Sequence, residues 1–420
     1  MATLVLNASE ILTMAGPDGP RAGRDKAALG LLRDGAVLIE GSKILEAGPQ
    51  AKVMAHPLAK SAKTLSAEGR VVLPGFVDSH THPVFAAARL DDFSARLSGQ
   101  SYEDIALRGG GILSTVNGVR GAAESDLTAG LRRRAFDFIA SGTTTIEAKS
   151  GYGLDLDNEL KLLRVLRTAN ERGPLEIVPT LLAAHAVPPE LKGRKDEFVT
   201  RVCADMIPRV AAEKLAVFVD LFCERGYFDL GDLEIIAEAG AKAGLKLKVH
   251  SEQLSRLGSL PAAVRLGAVS ADHLDCVEEE DMAALAASQT VACLVPGSNY
   301  FLGKPYPPAR RLLDSGAAVA LATDYNPGTC PCWDMRMIIS IATTQMKLSP
   351  AEALVAATIN GACAINLQKT HGSLEAGKVA DLVCYDAEDH REIAYWFGAP
   401  TVRWVMKKGE VVFSAAGRRP

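Results

Sequence analysis

The sequence has no surplus of positive charge: 46 Lys and Arg face 50 Asp and Glu, for a net charge of −4. With no basic excess to neutralise phosphates, a dedicated nucleic-acid binder is not expected. Uncharged apolar runs of the ~20 residues that a membrane helix needs are also missing. The first residues, Met1-Ala2-Thr3-Leu4-Val5-Leu6-Asn7, carry neither a basic segment nor a long apolar core, so no secretory leader is expected. Disulfides are not expected either. The Cys count of eight is even, but a chain of 420 residues buries a core without such bridges. Most of the Cys sit inside apolar runs such as Val291-Ala292-Cys293-Leu294-Val295, as core thiols do. The expectation is a reduced cytoplasmic protein. A hydrophobic fraction of 48% beside 23% charged residues is that of a globular chain.

What is there is an ordered alternation. Residues 36–41 and 43–48 read as a hairpin, and 379–385, 402–406 and 410–413 read as strands near the other end. Between them eight apolar runs alternate with helical stretches such as 158–172 and 232–243. The runs end near His80-Thr81-His82, Glu147-Ala148-Lys149, Ala184-His185, Cys223-Glu224, His250-Ser251-Glu252, Asp272-His273, Pro296-Gly297-Ser298 and Thr323-Asp324. Eight strand-then-helix units predict an α/β fold, a (β/α)8 TIM-like barrel over 71–372. A small β-sandwich domain built from both chain ends, 1–70 and 373–420, would flank it. Nearly every run ends in an ionisable residue, and in such barrels the C-terminal strand ends form the mouth of the active site.

His80 and His82 stand at i and i+2, so a strand presents both imidazoles on one side. Alone, a His-x-His is weak evidence and reads equally as two turn histidines. The end of strand five adds His250, and the end of strand eight adds Asp324. Three imidazoles and a carboxylate can hold one ion with a position left for water, the mark of a catalytic site. His273, ending strand six, is placed to move a proton or polarise an oxygen. His185, ending strand three, faces the same rim as a substrate hydrogen-bonding group. Arg89, seven residues past His82, can clamp a carboxylate bidentately. Tyr152 lies in a Gly-flanked loop that lets backbone approach a ligand. His56, His371 and His390 receive no role. Gly372-Ser373-Leu374-Glu375-Ala376-Gly377-Lys378-Val379 nearly matches a phosphate-binding loop but ends in Val before a strand, so nucleotide binding is not expected. The Gly109-Gly110-Gly111 run reads as part of a loop, 105–118, near the barrel mouth.

The His-x-His at strand one, the His residues at strands five and six, and the Asp at strand eight resemble the amidohydrolase superfamily. Further stretches resemble one family within it, the imidazolonepropionases of histidine degradation. These are Glu147-Ala148-Lys149-Ser150-Gly151-Tyr152-Gly153-Leu154, Ala184-His185-Ala186-Val187-Pro188, His250-Ser251-Glu252-Gln253 and Thr323-Asp324-Tyr325-Asn326-Pro327-Gly328. The resemblance implies hydrolytic opening of the ring of 4-imidazolone-5-propanoate to N-formimino-L-glutamate. It implies one zinc or iron ion per subunit on His80, His82, His250 and Asp324. It implies substrate or product contacts from Arg89, Tyr152, His185, Gln253, Asn326, Gly328 and Thr329, and a homodimer. Asp324, His273 and Glu252 are the candidate catalytic acid–base groups, Glu252 on the condition that its side chain reaches inward. Binuclear relatives use a Lys at the end of strand four. Here strand four ends in Phe222-Cys223-Glu224, and Lys149 ends strand two instead, as a pocket or structural charge. Another cyclic amidohydrolase or a nucleobase deaminase of the superfamily is the alternative reading.

Overall fold

The computed structural model describes residues 2–100, 104–105 and 108–415. Eight parallel strands follow one another around a single sheet in chain order. They are Phe76–Thr81, Thr143–Lys149, Glu176–Ala184, Phe218–Cys223, Lys246–Ser251, Ser270–His273, Val291–Leu294 and Val319–Leu321. Each is buried along almost its whole length, with helices such as Glu124–Ala140, Leu156–Arg172 and Leu230–Lys242 packed outside. That double-sided burial is why these strands read as continuous β-branched runs rather than as alternation. The helices start where their sequences say they should. Asp155 caps the second through Asn158 N at 2.8 Å, and Asp229 and Asp232 form a reciprocal capping box on the third.

Strands one and eight meet to close the ring. Asp324 N donates to His80 O at 3.0 Å and His82 N to Tyr325 O at 2.8 Å. Deeper in the barrel, the Asp78 carboxylate accepts from Thr323 N at 3.0 Å and Thr323 Oγ1 at 2.6 Å. A side chain thus stands in for ladder bonds where the two strands diverge. The closure fixes His80, His82 and Asp324 on adjacent staves of one rim.

The apolar run 71–77 is divided at Gly75. Val71–Pro74 pairs with Leu382–Tyr385 and with Glu10–Leu12, and only Phe76–Thr81 enters the barrel. A Cβ at Gly75 would overlap the Thr144 side chain, so the crossing demands glycine. The strand belongs to a six-stranded sheet ordered Glu410–Ser414, Val402–Lys407, Leu382–Tyr385, Val71–Pro74, Glu10–Leu12, Leu31–Leu32. A four-stranded sheet of Lys43–Pro49, Gly35–Glu40, Ala2–Leu6 and Lys63–Ser66 faces it. Val5, Val37 and Ile44 from one sheet and Ile11, Val72 and Trp404 from the other share a core, which makes the sandwich of chain-end strands. The opposite face of the six-stranded sheet packs on the barrel through Val71, Leu73, Val383 and Tyr385.

Of the stretch 105–118, residues 106 and 107 lie outside the described residues, and from Ile112 the chain is helical to Gly121 rather than a loop. No helix among the described residues is long and apolar enough to cross a membrane. All eight Cys are free thiols.

The Asp78 link generates a prediction. Asp78→Ala leaves the buried Thr323 N–H without a partner and its hydroxyl proton without an acceptor, and should cost ~1–3 kcal/mol of stability. Urea unfolding measures it, and an unchanged midpoint would show that closure does not need the side chain.

Candidate active site

His80 and His82 both project into the barrel from strand one, and their Nε2 atoms are 3.3 Å apart. His250, at the end of strand five, brings its ring centroid within 4.6 Å of that of His80. One nitrogen from each of the three lies within 4.8 Å of the others. Asp324 Oδ1 is 3.7 Å from His80 Nε2 and 3.5 Å from His82 Nε2. The three imidazoles thus converge, and the Asp324 carboxylate lies beside two of them, all four side chains buried.

The groups behind the imidazoles set which nitrogens face inward. Asp272 Oδ2 is 2.6 Å from His80 Nδ1, and Asp220 Oδ2 is 3.0 Å from His250 Nδ1. A carboxylate on Nδ1 holds the proton there and leaves the Nε2 lone pair free. Burial works to raise the Asp272 carboxyl, but Lys248 and Lys149, with Ser270, hold it below the ordinary range. Burial is likewise outweighed at Asp220, where His250 and Lys149 hold the carboxyl well down. Lys149 Nζ lies 2.8 Å from Asp220 Oδ2, 2.8 Å from Glu147 Oε1 and 3.6 Å from Asp272 Oδ2. It is a structural charge behind the site and does not line the cavity.

The donor set fits a cation. Burial, helped by Lys149 at His80 and by neighbouring imidazoles at both, keeps His80 and His82 neutral, the form that ligates a metal. His250 Nε2 is buried with no hydrogen-bond partner, which is costly unless something else satisfies it. Burial raises the Asp324 carboxyl to about 8, against the bond from Asn326 and the field of Lys149. A positive charge beside it would favour the carboxylate instead. Three imidazole nitrogens and one carboxylate oxygen suit zinc or iron.

His273 ends strand six with its ring centroid 5.3 Å from those of both His80 and His250. Its φ is +81°, Leu274 follows at +65°, and Asp324 sits at +55°. Non-glycine residues in this region are uncommon and cluster where function over-determines the backbone. Burial, with His250 next, holds the His273 imidazole neutral, and its Nδ1 has no hydrogen-bond partner.

These groups open into a cavity of about 320 Å³. Arg89, Tyr152, His185, Gln253, Asn326 and Thr329 line it, with His82, His250, His273 and Asp324 at its base. The Arg89 side chain is only 7% exposed, and its nearest carboxylate, Asp92, is 4.0 Å away. A buried guanidinium with so distant a partner could pair with an anion in the cavity. Gly328 makes room for it, because a Cβ there would overlap the guanidinium. His185 Nδ1 donates to Gly151 O at 3.0 Å, so its Nε2 is an acceptor, and burial lowers its pKa to about 3. The Asn326 amide is committed to its own loop. Its Oδ1 accepts from Gly328 N and Thr329 N, and its Nδ2 donates to Asp324 O and Thr329 Oγ1.

Glu252 is not brought to the cavity, which corrects the expectation of an acid–base role. Its carboxylate turns outward and accepts from Leu257 N, Gly258 N, Ser259 Oγ and Leu260 N at 2.7–3.2 Å, anchoring the start of helix Ser259–Arg265. The sequence analysis also passed over Asp220, Asp272 and the cavity residues Phe222, Tyr227, Leu254, Leu302 and Lys304. For Asp220 a signal existed: a lone Asp inside the apolar strand Phe218–Cys223 must be buried, and a buried charge needs a partner. The exposed loop positions offered none.

Comparison with known proteins agrees with this geometry. The Amidohydrolase family model matches residues 227–412. An adenosine deaminase structure from Xanthomonas campestris with bound zinc superposes with a TM-score of 0.69 at 18% identity, covering 97% of this chain and 92% of that one. A mutant of atrazine chlorohydrolase from Arthrobacter aurescens, complexed with zinc and atraton, gives 0.70 at 17% identity, over 98% and 95% of the two chains. Fold and site together define an amidohydrolase. The imidazolonepropionase of Solibacter usitatus is 42% identical over 410 residues, which is 97% of this chain and 98% of the relative. That of Symbiobacterium thermophilum is 42% identical over 412 residues, 97% and 96% of the two. The chain belongs to the imidazolonepropionase family.

Asp272→Asn should weaken divalent-metal affinity about 10–100-fold, because the amide holds the His80 imidazole less strongly. Chelator competition measures this, and an unchanged dissociation constant would remove Asp272 from the site.

Proposed function

We propose that this chain hydrolyses 4-imidazolone-5-propanoate to N-formimino-L-glutamate in histidine degradation. The observation that carries the reading is that the buried Arg89 guanidinium lines one cavity with His82, His250 and Asp324, and that His80 Nε2 lies 3.3 Å from His82 Nε2 beside them. Full-length likeness to imidazolonepropionases supports it over a deaminase or another cyclic amidohydrolase.

One zinc or iron ion per subunit, held by His80, His82, His250 and Asp324, would supply a water of lowered pKa and a Lewis-acid pole for the carbonyl. Arg89 clamps the propanoate carboxylate and so sets where the ring lies. Tyr152, His185 and Gln253, with Asn326, Gly328 and Thr329, contact substrate or product. The His185 Nε2 acceptor suits a ring N–H. Asp324 takes a proton as water adds to the ring carbonyl carbon. His273, neutral and with an N–H to give, stabilises the developing oxyanion. The carbonyl C–N bond then breaks, Asp324 returns its proton to the leaving nitrogen, and the former carbonyl carbon becomes a carboxylate. Glu252 has no part in this.

We further place the boundary between the sandwich and the catalytic barrel at Gly75 rather than residue 70, with the second boundary near residue 372. A cytoplasmic homodimer belongs to the same proposal and is consistent with eight reduced thiols.

The test is turnover of 4-imidazolone-5-propanoate, followed by its ultraviolet absorbance. It should vanish on chelation and return with zinc or iron. His273→Ala should lower kcat by orders of magnitude and leave the metal bound. Gly328→Ala should raise KM about ten-fold or more by displacing the Arg89 clamp. Metal-replete protein that leaves the substrate untouched would overturn the assignment.

A further inference from the structure

The segment between the second barrel strand and helix Leu156–Arg172 delivers Tyr152 to the cavity and the Gly151 carbonyl to His185. Its path is tightly constrained. Gly151 has φ +94°, and a Cβ there would lie 2.9 Å from Leu182 O and 3.1 Å from His185 Nδ1. At Gly153 a Cβ would lie 2.5 Å from Glu159 N. Leu154, with a full side chain, is held at φ +57°, a conformation that its Cβ disfavours. A loop in this state needs something to hold it.

That something is a carboxylate with no exposure to solvent. Glu159 Oε2 accepts from Gly151 N at 3.0 Å, and Oε1 accepts from Gly153 N at 2.7 Å and Leu154 N at 2.8 Å. Glu159 lies in the first turn of its helix, whose Asp155 cap fixes the turn in place. From the outer side Arg120 Nε, on a half-buried side chain, donates to Gly153 O at 2.8 Å and lies 3.2 Å from Asp155 Oδ2. The three N–H groups bracket Tyr152, and one belongs to the residue whose carbonyl fixes the His185 tautomer.

We propose that Glu159 is the positioning residue of this part of the rim. By gathering the N–H groups of Gly151, Gly153 and Leu154, it sets the pose of Tyr152 and the tautomer of His185, and through them the affinity for the ligand that Arg89 clamps. The inference rests on the reading of Tyr152 and His185 as ligand contacts. Glu159 touches neither the ligand nor the metal-facing imidazoles. Its loss therefore falls on binding that ground state and transition state share, so KM should move more than kcat.

The test compares the metal-replete wild type with Glu159→Ala and Glu159→Gln. It reads the dissociation constant of N-formimino-L-glutamate by titration calorimetry, KM and kcat, metal per chain, and the melting temperature. Glu159→Ala should raise the product dissociation constant and KM about ten-fold or more, with kcat changed less and metal content unchanged. Glu159→Gln should show a smaller rise, since its oxygen still accepts while its NH2 opposes one donor. If the Ala variant does not fold, the Gln variant decides. A merely structural role would lower the melting temperature and leave both constants within two-fold of wild type, and that result overturns the inference alone. A wild type that binds no product overturns the inference and the proposed substrate together.

Discussion

A buried ammonium orders the chemistry of this barrel. Lys149 stands among Glu147, Asp220 and Asp272, and Lys248 Nζ adds a second positive charge 3.5 Å from Asp272 Oδ2. None of these side chains is exposed. Taking such charges out of water costs several kcal/mol each unless they are paired and hydrogen-bonded. The pairing here has a direction. Ionised Asp220 and Asp272 present acceptors to His250 and His80, and those acceptors keep Nδ1 protonated and Nε2 available. The electrostatics deep in the barrel thus decide the protonation of groups at its mouth. The cluster holds one more acidic side chain than basic, an excess that a cation among the three imidazoles would offset.

Closure of the barrel supplies the geometry that the charges need. Strand eight ends at Leu321, and the chain then runs through Thr323, Asp324 and Tyr325, each bonded to strand one or its extension. Asp324 reaches the imidazoles because its backbone is turned to φ +55°. His273 is turned more sharply still. Ladder bonds and Asp78 over-determine these conformations, so local strain is carried by a scaffold that cannot relax it. The same closure brings the loop of Asn326, Gly328 and Thr329 beneath Arg89. A guanidinium packed on glycine and a cluster of imidazoles at the base both line the cavity.

Much of this was legible in the sequence, because parallel strands buried on both faces leave a strong pattern. All eight apolar runs are barrel strands. The His-x-His spacing made two imidazoles share a face, as a period of two requires. The division at Gly75 was not legible. Val71 to Val77 is one apolar run, and only the Thr144 side chain across the gap shows why it must break. Asp272 was read as a neighbour of the more conspicuous His273, although both serve the site from opposite faces of one strand. The cavity walls at Tyr227 and Lys304 come from loops, and Leu302 from the end of helix Pro296–Leu302, whose positions depend on packing that no local period encodes.

The misreading of Glu252 exposes a wider rule of the rim. Ionisable residues at the strand ends looked uniformly chemical, yet Glu224 and Glu252 there, and Glu159 in the helix that follows strand two, serve backbone instead. Glu159 gathers Gly151, Gly153 and Leu154. Glu224 accepts from Arg225 N and Leu254 N, at 2.8 and 2.7 Å. Glu252 gathers Leu257, Gly258 and Leu260. Irregular rim loops expose N–H groups that no strand or helix satisfies, and leaving them unpaired in a buried setting is expensive. A carboxylate with two oxygens satisfies several at once. Three groups of this mouth differ from these glutamates, since His250 Nε2, His273 Nδ1 and Arg89 Nε are buried without a protein partner. An ionisable residue at a strand end is therefore no sign of chemistry until its hydrogen-bond partners are known.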